Sequence, residues 1–159
     1  MRSASAGLDE IEHVYRTRLA DFVRVARAIT GDAETARDAV QDAFAAAVRS
    51  RTSYRREGVL AAWLWRTVVN KARDARRARP QLALAADVNG NGGAEPDAEV
   101  RAALALLPER QRIAIFLRYY VDLDYSSIAE ILEISEGTVA ATLHAAHRTL
   151  RRRFEEVLR

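Results

Sequence analysis

Residues 126–153 read SSIAEILEISEGTVAATLHAAHRTLRRR. Two helical patterns follow one another across a short polar break. In the first piece Ile128, Ala129, Ile131 and Leu132 are apolar. In the second, Val139, Leu143, Ala146 and Leu150 recur at steps of four, three and four, which is one face of an α-helix. Ser135 stands at the break, where its hydroxyl can accept from a free N–H of the new helix. Two helices joined so closely cross steeply over a small shared core, and the outer face of the second is left free to enter a DNA major groove. Ala129 is small where the two helices approach. Arg148, Arg151, Arg152 and Arg153 place cations at the C-terminal end of the second helix, where they suit its dipole and can reach phosphates. An ordinary helical hairpin in a bundle is the competing description of this segment.

The rest of the chain is also helical in its periodicity, and no strand alternation persists. A first helix is predicted over Leu8–Thr30, with Ile11, Val14, Tyr15, Leu19, Phe22 and Ala26 inward, and Gly31-Asp32 ends it. A second begins near Ala33 and turns Ala36, Val40, Phe44, Ala47 and Val48 inward. Residues 50–58, SRTSYRREG, read as a polar loop. A third helix, from Val59 to about Ala78, has Leu60, Trp63, Leu64, Thr67, Val68 and Ala72 on its inward stripe. Trp65 lies off that stripe and nearer the surface. Residues 80–98, PQLALAADVNGNGGAEPDA, have the composition of a flexible linker. A helix follows near Ala98–Leu106, then one opened by Pro108, then the two-helix motif.

Composition narrows the function classes. The chain has 159 residues and no cysteine, which excludes disulfides, cysteine–zinc sites and thiol catalysis. No apolar run approaches a membrane span, and the N-terminus lacks a signal-peptide core, so a soluble cytoplasmic chain is expected. Lys71 is the only lysine, and 24 of the 25 basic residues are arginine, whose planar fork suits phosphates and guanine edges. Charge is concentrated. Residues 49–79 carry 10 basic and 2 acidic side chains, a net +8, while residues 1–48 are −2, residues 80–100 are −4 and residues 101–159 are +1. Such a positive block is the electrostatic footprint of a nucleic-acid contact.

With both halves read, the chain resembles the extracytoplasmic-function sigma factors, the small two-domain class of bacterial transcription initiation factors. The matching residues are Asp38-Ala39-Val40-Gln41-Asp42-Ala43-Phe44, Ala62-Trp63-Leu64-Trp65-Arg66 followed by Asn70, Leu107-Pro108-Glu109-Arg110, and Ile128-Ala129-Glu130-Ile131-Leu132, in this order. The resemblance implies an all-α fold of two small helical domains joined by a flexible acidic linker. Residues 1–79 would be sigma domain two, which binds core polymerase and reads and melts the −10 element. Residues 80–98 would be the linker. Residues 99–159 would be sigma domain four, a helix-turn-helix that reads the −35 element.

Site residues follow from the same resemblance. Asp38, Gln41, Asp42 and Phe44 match the segment that docks on the β′ clamp of RNA polymerase, and Asp38, Gln41 and Asp42 would share one helix face opposite a basic partner. Domain four would meet the β flap. Residues 52–58 match the position of a pocket for an unstacked base, where Tyr54 offers a stacking face and Arg55 and Arg56 supply charge. Asn70 matches a base-reading position. Arg66, Lys71, Arg73, Arg76 and Arg77 would contact phosphates, and Trp65 is a candidate strand contact. Glu136, Thr138, Ala141, Thr142, His144, Ala145 and Arg148 are the candidate −35 contacts. The sequence departs from the family at two places. Ala140-Ala141-Thr142 stands where Lys-Ser-Arg is common, which removes two cations, and Glu133 stands where glycine is common. A side chain at that turn costs about 1 kcal/mol if φ is positive.

The resemblance further implies an anti-sigma partner, no metal or nucleotide cofactor, and catalysis performed by the polymerase rather than by this chain. Two rivals remain open at this stage. A stand-alone helix-turn-helix regulator explains the last 60 or so residues but leaves the +8 block unused. An enzyme would need a site, and His144 and His147 at a spacing of three lack a third ligand nearby.

Overall fold

The computed structural model describes residues 7–54, 59–79 and 98–159. Among the described residues there are seven α-helices, one 3₁₀ turn and no strand. The helices are α1 (Leu8–Thr30), α2 (Ala33–Arg49), α3 (Leu60–Ala78), α4 (Ala98–Ala105), α5 (Glu109–Tyr119), α6 (Tyr125–Leu132) and α7 (Glu136–Val157), with the 3₁₀ turn at Arg51–Ser53.

Local chemistry sets the helix ends. Glu10 reaches back to accept from the Gly7 N–H at 3.0 Å, the glutamate half of a capping box, since glycine has no side chain to supply the other half. Gly31 ends α1 at φ 78°, a left-handed conformation that costs glycine little. One residue later the Asp32 carboxylate accepts from the Thr35 N–H at 2.8 Å and the Thr35 hydroxyl at 2.6 Å, and these bonds hold its pKa below the usual value. The chain therefore reverses within two residues, and α1 and α2 pack as a hairpin with α3 laid across both. Ala36, Ala39, Ala43 and Ala47 are all buried on α2, and their short side chains admit close approach of the neighbouring helices. Phe22 is the hub of an aromatic cluster, with ring centroids 5.1 Å from Phe44 and 4.1 Å from Trp65, while Tyr15 meets Phe44 edge-on at 4.8 Å.

The second helical group is built on Ile113, Leu117, Ile128, Ile131, Val139 and Leu143, each buried. Asp124 caps α6, accepting from Ser127 N–H at 2.7 Å, which lowers its pKa in the same way. Ser135 caps α7, accepting from Thr138 N–H at 3.1 Å, as the sequence predicts. Between them Glu133 has φ 56° and ψ 44°, and its N–H reaches the Ala129 and Glu130 carbonyls. The chain thus places a non-glycine residue in the left-handed region, at a cost of about 1 kcal/mol. Pro108 is the N-cap of α5, just outside the first turn.

The two groups pack on each other, α5 against α1 and α6 against α3, and their buried residues form one continuous apolar cluster. Val25 and Ile29, outside the predicted stripe of α1, are fully buried on the half of the helix where α5 docks.

Candidate polymerase and nucleic-acid interface

On α2 the outward positions are Asp38, Gln41 and Asp42, which are exposed together on one face while Val40 and Phe44 turn inward. A carboxylate–amide–carboxylate face on a rigid helix has the charge to meet a basic partner. Phe44 is 7% exposed and wedged against Tyr15 and Phe22, so of the four proposed docking residues it is the one that shapes the helix from inside rather than touching a partner.

Helix α3 rearranges the tryptophan assignment. Trp65, expected near the surface as a strand contact, is 1% exposed and stacked obliquely on Phe22 at 4.1 Å. Trp63, expected in the core, is half-buried and leans on Tyr54 with centroids 5.3 Å apart. The helix is rotated by about one position from the predicted stripe, because the aromatic hub of α1 and α2 draws in the larger surface at Trp65 and Val69. Tyr54 is also buried, at 9%, so it offers an edge rather than a free face. It lines a cleft of about 530 Å³ together with Asp9, Glu10, His13, Val14 and Leu60. Arg55 and Arg56 lie outside the described residues.

The remaining α3 residues separate into two sets. Asn70 is exposed, Lys71 half-buried, and Arg77 exposed beside Asp74 at 3.4 Å. Arg66, Arg73 and Arg76 instead face the second helical group. Arg66 lies 3.9 Å from Glu133, and Arg73 and Arg76 lie 3.7 and 3.6 Å from the two oxygens of Glu109.

On α7, Glu136, Ala140, Ala141, His144 and Arg148 are exposed, and four of them form a stripe at i, i+4 spacing. Thr138 and Ala145 are half-buried, with the Thr138 hydroxyl 2.8 Å from that of Ser135. Thr142 departs from the expected contact set: it is 9% exposed and its hydroxyl donates to the Thr138 carbonyl at 2.7 Å, so it packs the helix-turn-helix core. His147 meets the Tyr119 hydroxyl at 2.8 Å. Among the described residues no three His, Cys, Asp or Glu side chains gather as a metal site. Among the same residues no helix is long and apolar enough to cross a membrane.

Known proteins match this arrangement along both halves. Residues 14–80 match the family model for Sigma-70 region 2, and residues 97–150 that for Sigma-70, region 4. The ECF RNA polymerase sigma factor SigM of Mycobacterium tuberculosis is 33% identical over 151 residues, spanning 89% of this chain and 75% of that protein. The ECF RNA polymerase sigma-E factor of Escherichia coli K12 is 29% identical over 143 residues, spanning 77% of this chain and 75% of that protein. Among solved structures, the sigma factor RpoE of Bartonella quintana, in complex with the anti-sigma factor NepR, superposes with a TM-score of 0.77 at 21% identity, covering 93% of this chain and 98% of that one. CnrH in complex with the cytosolic domain of CnrY superposes with a TM-score of 0.73 at 23% identity, covering 98% and 94%. Matches to both regions in one chain exclude the stand-alone regulator, which accounts for the second half alone. With a region 2 bundle, a region 4 helix-turn-helix and 33% identity to SigM over 151 residues, the chain belongs to the ECF RNA polymerase sigma factors, which direct promoter recognition in transcription initiation.

Proposed function

We propose that residues 1–79 bind core RNA polymerase and the −10 strand, that residues 99–159 bind the −35 duplex, and that residues 80–98 tether them. The observation that carries this reading is that exposed carboxylates and a run of cations stand on two different helices of the first bundle. Asp38, Gln41 and Asp42 are exposed on α2, while Arg66, Asn70, Lys71, Arg73, Arg76 and Arg77 are carried by α3. A small bundle with an acidic face and a basic face joins a basic protein partner to an acidic polymer.

The acidic face docks on the β′ clamp, and domain four meets the β flap. Asn70 reads a −10 base edge, as its amide can pair with one. Trp63, rather than Trp65, supports the unstacked base beside Tyr54. Lys71 and the α3 arginines hold phosphates. On α7, Glu136, Ala141, His144 and Arg148 face the −35 groove. The chain carries out no chemistry of its own, works in the cytoplasm and needs no cofactor. The similar RpoE structure holds the anti-sigma factor NepR, and a partner of that class regulates this chain too.

Run-off transcription with core polymerase tests the reading. Adding the chain should produce promoter-dependent transcripts that core enzyme alone does not make. Asp42→Arg reverses charge at the clamp contact and should weaken polymerase association by about tenfold or more, read by co-sedimentation. A folded, inhibitor-free chain that never associates with polymerase refutes it.

A further inference from the structure

We propose that Tyr119 of α5 is a further promoter contact: its hydroxyl, held by His147 of α7, donates to a backbone phosphate at the edge of the groove that α7 enters. This contact rests on the assignment of α7 to the −35 duplex, and it comes from a helix outside the α6–α7 pair.

A solvated tyrosine has little reason to keep one direction. Tyr119 is 59% exposed, yet its hydroxyl lies 2.8 Å from His147 Nε2, with the two ring centres 5.5 Å apart and tilted by 59°. The two residues are 28 positions apart and stand on different helices, and His147 is exposed as well. A hydrogen bond between two exposed side chains adds little to stability, because water competes for both groups and ordering them costs rotamer entropy. Its effect is to aim the hydroxyl before a partner arrives, which removes part of the ordering cost from the binding step.

Position on α7 selects the partner. Glu136, Ala140, His144, His147 and Arg151 follow one another at steps of four, four, three and four, and all five are exposed along one ridge. At a rise of 1.5 Å per residue, Glu136 to His144 covers about 12 Å, close to the width of the major groove. His147 and Arg151 lie about 4 and 10 Å farther along, where a helix that has crossed the groove stands over the sugar–phosphate wall. Arg151 brings charge to that wall, and Tyr119, fixed beside His147, brings a neutral donor.

The acceptor also decides the protons. Phosphate oxygens accept and do not donate. The matching arrangement has the His147 Nε2–H donating to the Tyr119 oxygen, which leaves the Tyr119 O–H to donate outward. A hydroxyl that already accepts one hydrogen bond is a stronger donor in the next. Tyr119 therefore touches the nucleic acid, and His147 acts through it as a positioning residue.

The test uses the full chain assembled with core polymerase, on a promoter fragment recovered by run-off transcription. Neutral methylphosphonate linkages replace the phosphates of the −35 region one at a time. The unmodified chain should lose about tenfold in affinity at the linkage that Tyr119 meets, as expected for a hydrogen bond to a charged acceptor. Tyr119→Phe should bind the natural duplex about tenfold more weakly and lose its response to that one linkage, while its response to the others stays. His147→Gln retains an N–H donor and should keep most of the effect, whereas His147→Leu should behave like Tyr119→Phe. Arg151→Ala should instead lower the salt slope of binding by about one, which the loss of a neutral hydroxyl does not do. Circular dichroism checks that each variant is folded. Tyr119→Phe that keeps the unmodified response at every linkage, whatever its melting midpoint, makes the bond a tie between α5 and α7 and overturns the proposal. An assembled enzyme indifferent to every −35 linkage, even with the unmodified chain, overturns the assignment of α7 to the −35 duplex and this contact with it.

Discussion

Helix α3 carries its cations partly covered, with Arg66, Arg73 and Arg76 turned toward carboxylates of the second group, whereas helix α7 exposes a stripe of Glu136, Ala140, His144 and Arg148. The first surface is dominated by cations, while the second sets Glu136 and Arg148 at either end of Ala140 and His144. Phosphate contacts position a protein on nucleic acid, and base edges specify the sequence. Guanidinium groups on α3 suit the first task. Small side chains on α7 suit the second, since alanine can meet a thymine methyl and glutamate can accept from cytosine.

The largest test separates the two tryptophans. Trp65→Ala should cost the first bundle about 3–5 kcal/mol and lower its melting midpoint steeply, because a fully buried ring leaves a cavity on Phe22. Trp63→Ala should keep most of the stability and lose promoter opening instead. If both variants melt alike, the rotation of α3 described above is wrong. Next, Asn70→Ala removes one exposed amide and should reduce −10-dependent opening by about tenfold while polymerase binding stays level. An equal loss of polymerase binding would move Asn70 to the other face of the comparison. The smallest effect lies at the helix-turn-helix turn. Glu133→Gly relieves the left-handed strain and should stabilise the chain by about 1 kcal/mol, raising the thermal midpoint by about 2–4 °C. It also removes the loose ion pair to Arg66, which at 3.9 Å and largely in solvent contributes little. A lower midpoint would mean that this pair matters more than the backbone does.

Much of the architecture was legible because its signals are local. Gly31-Asp32 marks a reversal that needs a left-handed residue and then a capping carboxylate, and both are found where the sequence puts them. Ser135 caps α7, and Val139, Leu143 and Ala146 are buried as their spacing requires. Glu133 adopts the positive φ that its position in the turn predicted. The readings that needed correcting were those at helix faces with two candidate neighbours. Trp63 and Trp65 are two residues apart on α3, so a modest rotation exchanges which one is buried. Thr142 reads as polar and available, yet its hydroxyl is satisfied by its own helix, and its methyl can then pack inward.

The sequence by itself determined the helices, their caps, the order of the two groups and the concentration of positive charge on one of them. These follow from side-chain spacing and short-range hydrogen bonds, which act within a few residues. Tertiary structure alone decided which cations are free. Arg112 and Ala28 stand 84 residues apart, and no periodicity connects them. Only when α5 lies across α1 does a buried guanidinium find that carbonyl and bring Glu109 to Arg73 and Arg76. Long-range pairing depends on how two apolar surfaces happen to fit, and that fit is written in three dimensions rather than along the chain.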